Sequence, residues 1–159
     1  DVMSLIVDAR HRFAAAERAI DGAVLCDEVL IVREPGSGSR EVVAQALAAA
    51  GIEPRRTLEI GSTEAIKQAV AGGLGIAVLS AHTLALERNS DELVLLDVQD
   101  FPIRRHWYLA YPKDKQLSVV AVALKKNLHE ESKTIGEKYL QGIPGFPSQL
   151  NGKKRKKNA

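Results

Sequence analysis

The order of apolar runs and turn residues predicts an α/β domain built on a mostly parallel sheet flanked by helices. Three observations lead there. Short β-branched runs alternate with amphipathic stretches, Gly or Ser/Thr stands at most junctions, and the connections span about two to six residues. Parallel neighbours need crossover helices, so this alternation is the pattern of a layered α/β fold.

Val2 to Val7 (VMSLIV) is a strand-like run with no turn or cap before it, as though the chain starts within a fold. Residues 8 to 27 are Ala-rich and charged, a loop with a helical turn. Val29 to Val32 is a β-branched run that ends at Glu34-Pro35-Gly36, a buried strand entering a turn. From Ser39, the residues Val42, Val43, Ala46, Leu47 and Ala50 fall at helical spacing, and Gly51 supplies the stop. Leu58 to Ile60 is a short strand. Gly61-Ser62-Thr63 then opens a second helix, with Ala65, Ile66, Ala69 and Val70 on one face and Gly72-Gly73 at its end. Gly75 to Leu79 is a strand, Ser80 caps a third helix through about Glu87, and Asn89-Ser90-Asp91 is a turn. Leu93 to Val98 and Arg105 to Tyr111 are two further strands. Leu117 to about Ser132 reads as a last helix, with Val120, Ala121, Leu124 and Leu128 inward. After Lys133 the period fades into Gly, Pro, Asn and Lys, the composition of a mobile tail.

Composition narrows the function classes. At 159 residues the chain holds one ordinary domain or two small ones. With 45% hydrophobic and 26% charged residues it is neither wholly disordered nor fibrous. No apolar run is long enough to span a membrane, and DVMSLIVDARHRF is too short and too charged for a signal peptide. A single cysteine, Cys26, excludes a disulfide framework and a cysteine-based zinc cluster; a reducing compartment, the cytoplasm, fits. The net charge of +2 hides an uneven split. Residues 1 to 124 carry 13 Lys and Arg against 17 Asp and Glu, whereas residues 125 to 159 carry nine against three. The basic balance therefore belongs to the tail, and is no sign of a nucleic-acid-binding body.

The segment most suggestive of chemistry is Arg33-Glu34-Pro35-Gly36-Ser37-Gly38-Ser39-Arg40, between a strand and a helix. Free N–H groups of a first helical turn and the helix dipole favour an anion, and the hydroxyls of Ser37 and Ser39 add donors. No Lys follows the last Gly as in a Walker A loop, and Glu41 stands where the third Gly of GxGxxG belongs. Helix capping alone accounts for one hydroxyl. A second copy of the arrangement, Ile60-Gly61-Ser62-Thr63, tips the reading toward a ligand. Both helix starts line the crevice at the carboxyl ends of parallel strands, where open α/β sheets bind ligands. Two converging helix starts suit a carboxylate or phosphate.

Catalytic signals are sparse. His11, His82, His106 and His129 show no HxxxH or HExxH spacing, no carboxylate cluster suits a metal, and no GxSxG elbow activates a serine. Cys26, Trp107 and Tyr108 read as core residues. Arg104 and Arg105 face either the crevice or solvent. Lys153-Lys154-Arg155-Lys156-Lys157 reads as a solvated basic run, with nucleic acid or acidic membrane as the alternative targets.

The runs REPGSGSR, LEIGSTEAIKQAVAGGLGIAVLS and LLDVQDFPIRRHWYLAYPKDKQLSVVA, in this order, resemble the effector-binding domain of LysR-type transcriptional regulators. They are most similar to members controlling carbon-fixation (RuBisCO) operons. The resemblance covers roughly residues 1 to 124. It implies a periplasmic-binding-protein-like fold of type 2, in which two α/β subdomains joined by two crossing strands hold the effector between them. By this resemblance Ser37, Gly38 and Ser39 form one effector-facing turn of the second subdomain, and Gly61, Ser62 and Thr63 form the other. The crossings fall near Asp27 to Val32 and near Phe101 to Trp107. Residues 1–27 are then a remnant of the first subdomain, 28–104 the second subdomain, 105–133 the return strand and last helix, and 134–159 a disordered basic tail. The winged helix-turn-helix and most of the first subdomain have no counterpart in these residues, so DNA contact belongs to a longer chain. The last helix, VALKKNLHEES, departs from the apolar helix end usual in the family.

The expected function is sensing of a small anionic metabolite, without a cofactor, metal or membrane, by a domain of a DNA-bound homo-oligomer. An enzyme or a transporter's solute-binding protein of the same fold are the alternatives. An unpaired Val2 to Val7 edge and an uncovered Leu117 to Leu128 helix lead to an expectation of self-association, or of poor order in residues 1 to 27.

Overall fold

A computed structural model of the chain describes residues 1–16, 18–85, 92–140 and 143. Six strands form one sheet: β1 (Val2–Asp8), β2 (Val29–Val32), β3 (Arg56–Glu59), β4 (Ile76–Ser80), β5 (Leu93–Leu96) and β6 (Ile103–Arg104). The helices are α1 (Gly38–Ala49), α2 (Thr63–Ala71) and α3 (Val119–Leu140), with 3₁₀ turns at Gly22–Asp27 and Ala81–Leu84. The spatial order is β3-β2-β4-β1-β5, and β6 also pairs with β1.

The sheet is mixed rather than mostly parallel. β2 pairs in parallel with β3 and β4, the strands that α1 and α2 connect. β1 runs antiparallel to β4, β5 and β6. The expected third helix is only the 3₁₀ turn Ala81–Leu84, and residues 86–91, including the expected Asn89-Ser90-Asp91 turn, lie outside the described residues.

β1 is the centre of the structure. Every residue from Val2 to Asp8 is buried, and Met3, Leu5, Ile6 and Val7 are wholly so. Burying side chains of this size contributes roughly 1.5–3 kcal/mol each. Alternation divides them between two cores. Met3, Leu5 and Val7 join Leu30, Ile76 and Val78 beneath Val43 and Leu47 of α1. Ile6 joins Ile31, Ala77, Leu93 and Leu95 beneath Ile66 and Val70 of α2. Residues 1–27 therefore share one sheet and both of its cores with residues 28–104. A run with apolar residues at nearly every position is what a strand buried on both faces requires; the unpaired edge expected for Val2 to Val7 is absent because β4 covers one side and β5 and β6 the other.

The helix ends follow local chemistry. Glu34-Pro35-Gly36-Ser37 is a turn closed by Ser37 N–H donating to the Glu34 carbonyl at 3.2 Å, with Gly36 at φ 84°. That is a type II turn, which favours Pro second and a positive-φ Gly third. α1 ends with Gly51 at φ 67° and Ile52 N–H donating back to Leu47 O at 2.8 Å, and Ile52 and Leu47 share a core. Such an αL cap satisfies the last carbonyls.

Two expectations fail near the end of the chain. Arg105 to Tyr111 forms no strand, and Trp107 and Tyr108 are 76% and 85% exposed rather than core. α3 does not stop near Ser132 but continues to Leu140, and Ile143 is buried in the α2-side core. The rest of the expected tail, 141–142 and 144–159, lies outside the described residues.

Candidate effector cleft

Because β2, β3 and β4 are parallel, their carboxyl ends share one edge of the sheet. β1 runs oppositely, so Asp1 arrives at that edge, and β6 delivers Arg105 beside it. The Asp1 amino group donates to Arg105 O and the Arg105 amide to Asp1 O. The crossing expected at Asp27 to Val32 is thus misplaced: β2 lies inside the sheet between β3 and β4. The segment paired with residues 103–105 is the start of β1.

The cleft at this edge, about 330 Å³, is lined by Asp1, Arg33, Ser39, Thr63, Leu79, Ser80, His82, Thr83, Arg105 and Trp107. Of the six residues expected from sequence, it brings together Ser39 and Thr63, the innermost member of each helix-start turn. Ser62 caps α2, its Oγ accepting from the Ala65 amide. Ser37 is the N-cap of α1, though its hydroxyl makes no cap bond. Gly38 and Gly61 are exposed, and none of these four lines the cleft.

Two guanidinium groups organise the walls. Arg33 donates to both carboxylate oxygens of Glu34, at 2.7 and 2.8 Å, and its Nη1 donates to Thr63 Oγ1 at 3.1 Å. The Arg33 hydrogen bond holds the Glu34 carboxyl below its ordinary range, and Glu34 in turn raises Arg33. Arg105 donates through Nε to Asp1 Oδ2 and through Nη1 to Ser39 Oγ at 3.3 Å, and its guanidinium lies 4.8 Å from the Trp107 ring centroid. Desolvation lowers the Arg105 pKa.

The Asp1 carboxylate, fully buried, also accepts from Ser80 Oγ at 2.6 Å and sits 3.1 Å from His82 Nδ1. Ser80, His82 and Asp1 do not make a catalytic triad, since the serine hydroxyl donates to the carboxylate and not to the imidazole. Among the described residues no cluster of three or more His, Cys, Asp or Glu is placed to hold a metal ion. Hydroxyls and cations at two helix N-termini favour binding of an anion, held without covalent chemistry.

Sequence reasoning gave Arg33 no role of its own within the segment it singled out, missed Ser80, His82 and Thr83, and left Arg105 undecided. A signal existed for Ser80, which ends a third strand with a hydroxyl as Ser62-Thr63 follows the second. No signal existed for the Asp1–Arg105 pair, whose members are 104 positions apart.

Residues 1–133 match the family model described as the LysR substrate binding domain. The chain belongs to that family. It is 42% identical over 135 residues to the HTH-type transcriptional activator CmpR of Synechocystis sp., covering 84% of this chain and 44% of CmpR. The RuBisCO operon transcriptional regulator of Allochromatium vinosum is also 42% identical, over 118 residues, covering 74% of this chain and 39% of that protein. The regulatory domain of Synechocystis PCC6803 CcmR, solved in complex with 2-PG, superposes with a TM-score of 0.78 at 42% identity, covering 84% of this chain and 64% of that one. The chain thus spans less than half the length of these curated relatives, which are transcriptional regulators and not enzymes. The domain has the periplasmic-binding-protein-like fold of the family. No helix among the described residues is long and apolar enough to cross a membrane.

Proposed function

We propose that this chain is the second subdomain of the effector-sensing domain of a LysR-type regulator of carbon-fixation genes, and that its cleft binds a small anionic metabolite. The observation that carries this reading is the convergence of Ser39 and Thr63, from two helix starts, with Arg33 and Arg105 in one cleft. CcmR, 42% identical to this chain, is known in complex with 2-PG. Ser39 and Thr63 donate to the anion, while Ser37, Gly38, Gly61 and Ser62 shape the two turns that aim the helix N-termini. Arg105 stands where β6 leaves the sheet, so an anion drawing on its guanidinium pulls on the crossing pair. Effector binding then shifts the closure of two subdomains and, in the longer protein, the geometry of a DNA-bound homo-oligomer in the bacterial cytoplasm.

Titration of the ¹⁵N-labelled chain with 2-PG tests the reading. Amides of Ser39, Thr63, Ser80 to Thr83 and Arg105 shift and saturate, and Ser39→Ala or Thr63→Ala weakens binding by about 1.5–3 kcal/mol, the scale of hydrogen bonds to charged groups. Shifts confined to residues outside the cleft, or equal affinity in both variants with the fold intact, overturn it.

A further inference from the structure

We propose that Lys67, which lines no part of the cleft, is a positioning residue that sets where the Ser80–His82–Thr83 wall stands; this rests on the effector-binding reading above. Lys67 lies on α2 between the core residues Ile66 and Val70 and is 1% exposed. Its Nζ donates to the Thr83 carbonyl at 3.1 Å and pairs with Glu64 at 2.8 Å. Thr83 sits in the 3₁₀ turn Ala81–Leu84, where the His82 carbonyl accepts the Ala85 amide at 3.2 Å and the Thr83 carbonyl accepts from Lys67.

From that contact a chain of bonds runs into the cleft. Thr83 Oγ1 donates to Ser80 O at 2.7 Å, and Ser80 Oγ donates to the Asp1 carboxylate that holds Arg105. One turn before Lys67 on the same helix, Thr63 faces the cleft and accepts from Arg33. A single buried ammonium therefore fixes the spacing between the α2 start and the opposite wall. An apolar side chain of similar length fills the same space with no charge to desolvate, so core filling does not account for a lysine here.

Amide hydrogen exchange on the ligand-free chain and titration with 2-PG are compared for Lys67→Met, for Thr83→Val, and for Gln68→Ala as an exposed control on the same helix. In Lys67→Met, α2 and β1 keep their protection and the melting temperature holds or rises. The amides of residues 81–85 exchange about tenfold faster, and 2-PG binds about tenfold more weakly, one lost hydrogen bond to a charged donor. Thr83→Val, which keeps the Lys67 bond to the backbone carbonyl and cuts the next link, from Thr83 Oγ1 to Ser80 O, gives the same loosening, and Gln68→Ala gives neither. Unchanged exchange at 81–85 in Lys67→Met overturns the proposal, as does a loss of protection spread evenly over α2 and β1. Failure of the unaltered chain to bind 2-PG overturns the functional reading alone, because the exchange comparison needs no effector.

Discussion

Asp8 closes β1 and shows how one pair of residues ties a strand end to a helix end. Its carboxylate accepts the Arg10 amide at 2.8 Å and two guanidinium nitrogens at 3.1 and 2.7 Å, and Arg10 also reaches the Ala71 carbonyl where α2 ends. The side-chain hydrogen bond from Arg10, then its backbone amide, lower the Asp8 pKa to about 2, against an ordinary 3.8. A carboxyl whose folded value is depressed stabilises the fold above its unfolded value, and that contribution disappears as pH falls through the folded one. Thermal melts of Asp8→Asn are expected to lie below the parent at neutral pH and to converge with it between about pH 4 and pH 2, the window set by those two values. Two parallel curves across that range would mean the pair contributes nothing. Behind the cleft wall, Glu34 is shifted in the same direction by Arg33.

Most elements were legible in the sequence because their signals are local. Glu34-Pro35-Gly36, Gly51 and Gly72-Gly73 mark ends that the structure confirms, and the alternation of β2 to β4 with α1 and α2 follows from residue period. The place of β1 was not legible, since its partners β4 and β5 lie some 70 to 90 positions later and no local pattern names them. Arg105 to Tyr111 misled for a different reason: an apolar run was read as buried, yet among the described residues nothing covers 106–111. α3 was cut short because Gly136 and the charges after Lys133 dilute the helical period. What the pattern hid there is the buried Ile143, packed with Leu84 and Ile66. Truncating a buried Ile to Ala costs about 2–5 kcal/mol, so Ile143→Ala should lose stability of that order in urea, and a chain ending at Lys133 at least as much. A truncated chain as stable as the parent would show that the contact is dispensable and the tail begins where the period fades.

For the molecule as a whole, the described residues combine a closed core with an open apolar surface. β1 is paired on both sides, so strand addition at Val2 to Val7 no longer motivates self-association. The exposed set Trp107, Tyr108, Leu109, Tyr111, Val119, Val120, Val122, Leu124 and Leu128 does, running from the cleft mouth along α3. So many large apolar side chains in one stretch exceed what a monomeric surface usually carries. The 159-residue chain alone is therefore expected to associate with a second copy through this face, by light scattering at rising concentration, while amide exchange keeps β1 among the most protected segments. Replacing Val120 and Leu124 together by Glu should return it to a monomer with the sheet's protection unchanged. A parent chain that stays monomeric at about 1 mM, where an association of only about −4 kcal/mol would show, would refute the expectation. If the double variant instead lost protection in β4 and the Ala81–Leu84 turn, α3 would be part of the core and not an open surface.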